Sequence, residues 1–300
     1  MTAPTTQTRS HVGIERLTDP VIVSLSSQVV YGHVGNCAAV PALQALGFEV
    51  LALPTVLLAH HPGHRLPRGR MFPVEEVAAL LEGIDEVGAL ATACAVLTGY
   101  LGLPGTAAVA ADAVGRLRRH KPEALYLCDP VIGDNGRVYV RDGVEQAIRE
   151  QLLPLADVLT PNHFELERLS GQPVSTLEQA VSAARTLITA GPKVVVVTSV
   201  QHGQAGTDQV ETLAVTADAV WVAATPRLAR VPNGGGDLLA ALLLGRLAAG
   251  YSLPDALGHA VSAVFVVLSA SEGEPELRLV AGRGQLLTPP SLPVHLLALP

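Results

Sequence analysis

The apolar residues of this chain recur in short unbroken runs rather than in alternation: Val21 to Leu25, Glu49 to Leu53, Ala95 to Leu97, Leu125 to Cys128, Asp157 to Leu159 and Val194 to Val197. A strand that is apolar at every position is covered on both faces, as in a parallel sheet held between two helix layers. The segments between the runs have helical apolar spacing, at 74–81, 107–117, 144–152 and 177–190. This predicts a three-layer α/β/α sandwich around a mostly parallel sheet. After Val197 the rhythm changes. Val210 to Val215 and Ala219 to Ala223 are separated by a turn-like stretch and read as an antiparallel addition, and helices are expected over 238–249 and 255–269.

With 300 residues, 49% of them hydrophobic, the chain can bury a core of this size in one domain, expected over 21–288. Residues 1–20 are polar, lack the apolar stretch of a secretory signal and read as a flexible leader; 289–300 form a proline-rich tail. The charge of −7 and the lack of basic blocks with interleaved aromatics argue against nucleic acid. Cys37, Cys94 and Cys128 are far apart with no CxxC spacing, so a reduced cytoplasmic setting is expected. Val87 to Ala111 carries no charge, but three glycines and a proline within 99–105 break it into strand, loop and helix, and no membrane span is read there.

Ligands of such a sheet bind beyond the carboxyl ends of its strands, which directs attention to Ser26-Ser27-Gln28, Pro54-Thr55, Gly99-Tyr100, Asp129-Pro130, Thr160 to Asn162 and Thr198-Ser199. One further segment stands out. In VPNGGGDLLAALLLGRLAAG (231–250), Gly234, Gly235, Gly236 and Asp237 precede a long apolar helix. Glycines there allow close backbone approach, and the helix start offers unpaired amides with a partial positive charge, which makes an anion cradle. Asp237 is either a first-turn carboxylate favoured by that dipole or a base beside a transferred phosphoryl group. No GxxxxGK[ST] is present, and no GxGxxG follows the first strand.

GGGD before a helix is similar to the G-x-G-D motif of ribokinase-like small-molecule kinases, and SSQVVYGHVGNCAAVPALQALGFEV (26–50) resembles the N-terminal signature of pyridoxal kinases. The resemblance continues in order through TGYLG (98–102), CDPVIGD (128–134), TPNHFELERL (160–169) and VVVTS (195–199), and covers nearly all of residues 20–285. It implies an ATP-dependent kinase that phosphorylates the 5′-hydroxymethyl group of pyridoxal, with Mg²⁺ and as a homodimer. It also implies site roles: Asp237 as general base, the amides of Gly234, Gly235 and Gly236 as the anion hole, Asp129 and Glu165 around the metal and nucleotide phosphates, Asn162 and Thr198 at the nucleotide, and Ser27 and Thr55 at the pyridine ring. Tyr31, His33 and Tyr100 would shape the site.

Each of these residues has a local alternative. Asp129 can serve a strand-end turn, Asn162 and Glu165 a capping box, and Thr198, Ser27 and Thr55 loop backbone. His60, His61 and His64 invite a metal reading, but no carboxylate or cysteine accompanies them in sequence, and zinc is not expected. The pattern also departs from the family. Where the family usually reads Q-S-H, this chain has Ser26-Ser27-Gln28; where it reads T-V-Q-F-S-N-H-T-G, this chain has Leu57, Leu58, Ala59, His60 and Pro62. The acceptor is therefore less firmly implied than phosphoryl transfer, and a hydroxymethylpyrimidine kinase and a non-catalytic B6-binding relative are the alternatives.

Overall fold

The computed structural model describes residues 20–64, 66, 68–200 and 208–297, so the predicted leader, Pro20 excepted, lies outside the described residues. The first apolar run becomes β1 (Val21–Tyr31), followed by α1 (Asn36–Ala45) and β2 (Glu49–His60). A short edge strand β3 (Gly69–Met71) and α2 (Val74–Glu86) lead to β4 (Ala93–Thr98), α3 (Thr106–His120) and β5 (Leu125–Cys128). The hairpin of β6 (Gly133–Asp134) and β7 (Arg137–Val138) precedes α4 (Val144–Ala147), which continues as a π-helical turn over Ile148–Leu152. Next come β8 (Val158–Leu159), α5 (His163–Ser170), α6 (Leu177–Ile188) and β9 (Val194–Val200). The last third comprises β10 (Gln209–Val215), β11 (Val220–Pro226), α7 (Gly235–Ala248), α8 (Leu253–Ala270), α9 (Arg283–Leu287) and β12 (Val294–Leu296).

Ten strands form one sheet in the order β12-β11-β10-β9-β8-β5-β4-β1-β2-β3. From β9 across to β2 every pair is parallel, while β3 on one edge and β10, β11 and β12 on the other are antiparallel. The predicted antiparallel addition is therefore present. The tail expected after residue 288 is not separate from the domain, because Val294 to Leu296 pair with Ala223 to Trp221.

The unbroken apolar runs have the cause inferred for them. Ile22, Leu97, Leu127 and Val196 pack toward α7 and α8, whereas Val23, Val96, Tyr126 and Val197 pack toward α3 and α6. Successive strand residues thus alternate between two buried faces. The middle of α7, Leu238 to Gly245, is buried without interruption, which explains its all-round apolar sequence.

The predicted first and second strands are too short. β4 follows β1 only to the pair Leu25–Thr98, but β2 follows it on to Tyr31–His60, across a register shift between Ser26 and Gln28. Pro54 lies opposite Ser26 at this shift, where a missing amide is tolerated. The projecting halves are wet on one side, with Val29 buried and Val30 79% exposed, so their apolar signal is diluted.

Candidate active site

The chain lays β2 on one side of β1 and β4 on the other, and β5, β8 and β9 continue outward from β4. This reversal makes the carboxyl ends of β1 and β4 the crevice where a doubly wound sheet binds ligands. A cavity of about 10 Å³ opens there, lined by Ser26, Thr98, Gly99, Asp129 and Asp237. It has room for about one water, and the buried Ser26 hydroxyl has no partner among the described residues.

Gly234 caps α7 with φ of 104°, and a Cβ there would strike the His33 carbonyl, so the protein's own packing requires glycine. Gly235 and Gly236 are different: a Cβ on the first would touch only Leu268, and one on the second would meet nothing within 4 Å. The protein's own packing therefore does not require glycine at either position. The first helical bond runs from the Leu238 amide to the Gly234 carbonyl, and no side chain caps the helix. The amides of Gly235 and Gly236 are therefore first-turn donors with no intrahelical acceptor.

Asp237 lies in this same turn with its carboxylate facing Gly99. Burial pushes its pKa up to about 6, opposed by hydrogen bonds from the amides of Gly35 and of Asp237 itself. Both readings of Asp237 fit the first turn, but a carboxylate merely stabilising a helix end gains nothing from facing a cavity shared with Asp129.

Asp129 follows β5. Its carboxylate accepts one hydrogen bond, from the Thr160 hydroxyl at 3.0 Å, and is raised well above the usual range by burial, then by Glu165, then by Asp237. Glu165 is also buried and raised to about 7, chiefly by desolvation. Its two oxygens already accept amides, from Ile132 at 2.9 Å and Gly133 at 3.3 Å on one and from Asn162 at 2.9 Å on the other. The Glu165 amide in turn donates to the Asn162 side-chain oxygen, so the capping box that the spacing allowed is formed. The Asn162 amide nitrogen also donates to the Gly133 carbonyl at 2.8 Å. Thr198 bridges to Asn162 at the next strand end, and Ser199 beside it has φ of 53°, a kink uncommon for a non-glycine residue.

On the β1–β2 side, Ser27 is buried beneath Gly35, where a Cβ would overlap its hydroxyl. The Thr55 hydroxyl donates to the Tyr100 carbonyl at 2.6 Å, which joins β2 to the loop after β4. Gln28 donates to the Cys37 thiol at 3.1 Å, and that thiol donates to the Val29 carbonyl. Leu57 is 40% exposed on the projecting part of β2. Lys193, at the amino-terminal end of β9, is exposed and pairs with Asp157 at 2.8 Å.

Two further residues belong to this region. Asn36 is buried at the start of α1, accepts from the Ser24 hydroxyl at 2.8 Å, and donates to the carbonyls of Ser26 at 3.2 Å and Leu53 at 3.4 Å. It locks α1 and the Gly35 amide against the shifted part of β1. Tyr139 follows the β6–β7 hairpin; it is 53% exposed, and its hydroxyl is raised by partial desolvation and by the charges of Glu165, Asp129, Asp134 and Asp237. The hairpin had a sequence signal, since Asn135-Gly136 with φ of 49° and 76° is the preferred two-residue turn.

A doubly wound sheet whose switch point meets a glycine-capped helix, its first-turn amides and a raised carboxylate is the arrangement of a small-molecule kinase of the ribokinase-like type. The model of the phosphomethylpyrimidine kinase family matches residues 73–275. The chain is 45% identical over 273 residues to pyridoxal kinase PdxY of Rubrobacter xylanophilus, covering 90% of this chain and 94% of the relative. It is 43% identical over 277 residues to that of Deinococcus radiodurans, covering 89% and 93%. In structure it is similar to pyridoxal kinase from Leishmania donovani in complex with ADP and pyridoxamine, with TM-score 0.88 and 31% identity over 93% of this chain and 100% of that one. The chain belongs to the pyridoxal kinase family, and it is a phosphotransferase.

Proposed function

We propose that this protein transfers the γ-phosphoryl group of ATP to the 5′-hydroxyl of pyridoxal, giving pyridoxal 5′-phosphate and ADP. The observation that carries this reading is Asp237 in the same helical turn as the amides of Gly235 and Gly236, which have no intrahelical acceptor. The acceptor oxygen forms a bond to the γ-phosphorus as the bond to the β–γ bridging oxygen breaks. The hydroxyl proton passes to Asp237, and the amides hold the charge spread over the equatorial oxygens. Relatives of known structure that are bound to ADP with pyridoxamine, ginkgotoxin or pyridoxine support the vitamer and nucleotide classes.

Mg²⁺ fits the donor set. Asp129 carries one hydrogen bond and is raised by two neighbouring carboxylates, a concentration of buried negative charge that a divalent ion relieves. Asp129 would hold the ion directly, and Glu165 through water, because its oxygens are already engaged by amides. When bound, the ion supplies charge neutralisation of the phosphates. Asn162, Thr198 and the Ser199 kink provide the nucleotide side, and Ser27 and Thr55 the ring side. Val30, Tyr31 and Leu57, exposed on the projecting β1–β2 ribbon, support a homodimer. Three free cysteines support a cytoplasmic setting.

Two measurements test this. At saturating Mg-ATP, pyridoxal is expected to exceed hydroxymethylpyrimidine in kcat/KM by more than about tenfold, the discrimination that one or two buried polar contacts to the ring provide; the reverse order removes the B6 assignment and leaves the kinase. A base is active when deprotonated, so kcat/KM is expected to fall as pH drops through about 6, the value to which burial raises Asp237. A profile flat from neutral pH to well below that value contradicts the role.

A further inference from the structure

His60 ends β2, the β2–β3 connection carries His61 and His64, and the segment between α8 and α9 brings Glu276 against it. We propose that His61, His64 and Glu276 form a binding site for a divalent transition ion of the Zn²⁺ class, separate from the acidic site at Asp129. One ligand atom from each side chain lies within 4.8 Å of the others. Glu276 Oε1 accepts from His61 Nε2 at 2.9 Å and also from His64 Nε2. A single carboxylate oxygen thus faces two imidazole nitrogens, and an ion set among the three replaces both hydrogen bonds with coordination.

The surroundings favour a fixed site. Glu276 Oε2 accepts from the His33 amide at 3.2 Å, and Gly32, at φ of 105°, leaves no room for a Cβ against that carboxylate. The His61 and Glu276 side chains are only 7% and 11% exposed, while His64 at 26% leaves one edge open for entry. The His61 and His64 rings lie 4.5 Å apart between centroids. His60 is not part of the set, since its Nδ1 meets the His61 carbonyl at 3.0 Å. Two imidazoles and one carboxylate select Zn²⁺, Co²⁺ or Ni²⁺ over Mg²⁺ and Ca²⁺, which prefer oxygen alone, and they leave a fourth position for water.

Coordination needs a lone pair at each Nε2, so a ring proton that remains sits on Nδ1. For His61 this gives up the Gly63 amide bond to Nδ1 at 3.1 Å. The Asn233 side chain, 3.3 Å from the same nitrogen, can turn its carbonyl to receive the new N–H, the outer-shell partner that a metal-bound imidazole takes. Asn233 immediately precedes Gly234, so an ion here ties the β2–β3 connection and the Glu276 segment to the start of the glycine turn.

Co²⁺ added to the nucleotide-free protein near neutral pH is the test. The expected result is one bound equivalent with the intense visible absorption of a four-coordinate ion, displaced by Zn²⁺. His64→Ala and Glu276→Gln are each expected to weaken binding by about 10-fold or more with unchanged thermal unfolding, and Asp129→Asn to leave the signal intact. No tetrahedral signal, equal affinity in wild type and His64→Ala, or loss of the signal in Asp129→Asn alone would each overturn the proposal.

Discussion

Asp237→Asn is expected to lower kcat by about 10² to 10⁴-fold, the contribution of a positioned general base. The amide keeps the size of the side chain and can still accept from the Gly35 amide, so the fold and the α7 turn should persist. An uncharged group at the first turn forgoes part of a helix-dipole interaction worth well under 2 kcal/mol, and here that loss is offset because a buried carboxylate no longer has to ionise. Stability therefore changes little while turnover collapses. Steady-state kinetics beside a thermal melt measure both, and activity retained within about threefold would remove Asp237 from the mechanism, since even one tenfold step is about 1.4 kcal/mol.

Asp129→Asn is expected to cost about 10²-fold or more in metal-dependent turnover, because neutralising the transferring phosphates by a divalent ion is worth several kcal/mol. Vitamer binding without nucleotide should be nearly unchanged. The physical basis is the charge balance: Asp129 is held high by burial and by Glu165 and Asp237, so it is the carboxylate that gains most from a cation. Titrating the variant with Mg²⁺ at fixed ATP, beside calorimetry with pyridoxal, separates the two effects. Equal losses in both would place Asp129 at the ring instead.

The positions of these two aspartates were legible because both follow local signals. Asp129 ends an apolar run, and Asp237 ends a glycine run before a helix, so a period of two, a period of 3.6 and one turn place them. The alternatives at Asn162 and Glu165 were equally legible as a capping box, and the structure forms it while also directing Glu165 to Ile132 and Gly133. The engagement of Gln28 by Cys37 was not legible, because a strand-end glutamine carries no mark of which side its partner will come from. It bears on the acceptor: Gln28→His would remove a bond to Cys37 rather than only restore the family's residue.

What the sequence alone determined is the layered sheet, its strand ends and the collinear motifs on them, since burial on two faces writes itself into consecutive residues. The tertiary structure decided what those ends meet. The carboxylate absent beside the three histidines is supplied by Glu276, 215 and 212 positions from its two partners. The projecting β1–β2 ribbon likewise exists because two half-wet segments pair with each other past the sheet edge. Contacts of that kind depend on which distant surfaces the packed layers bring together, and no local periodicity records them.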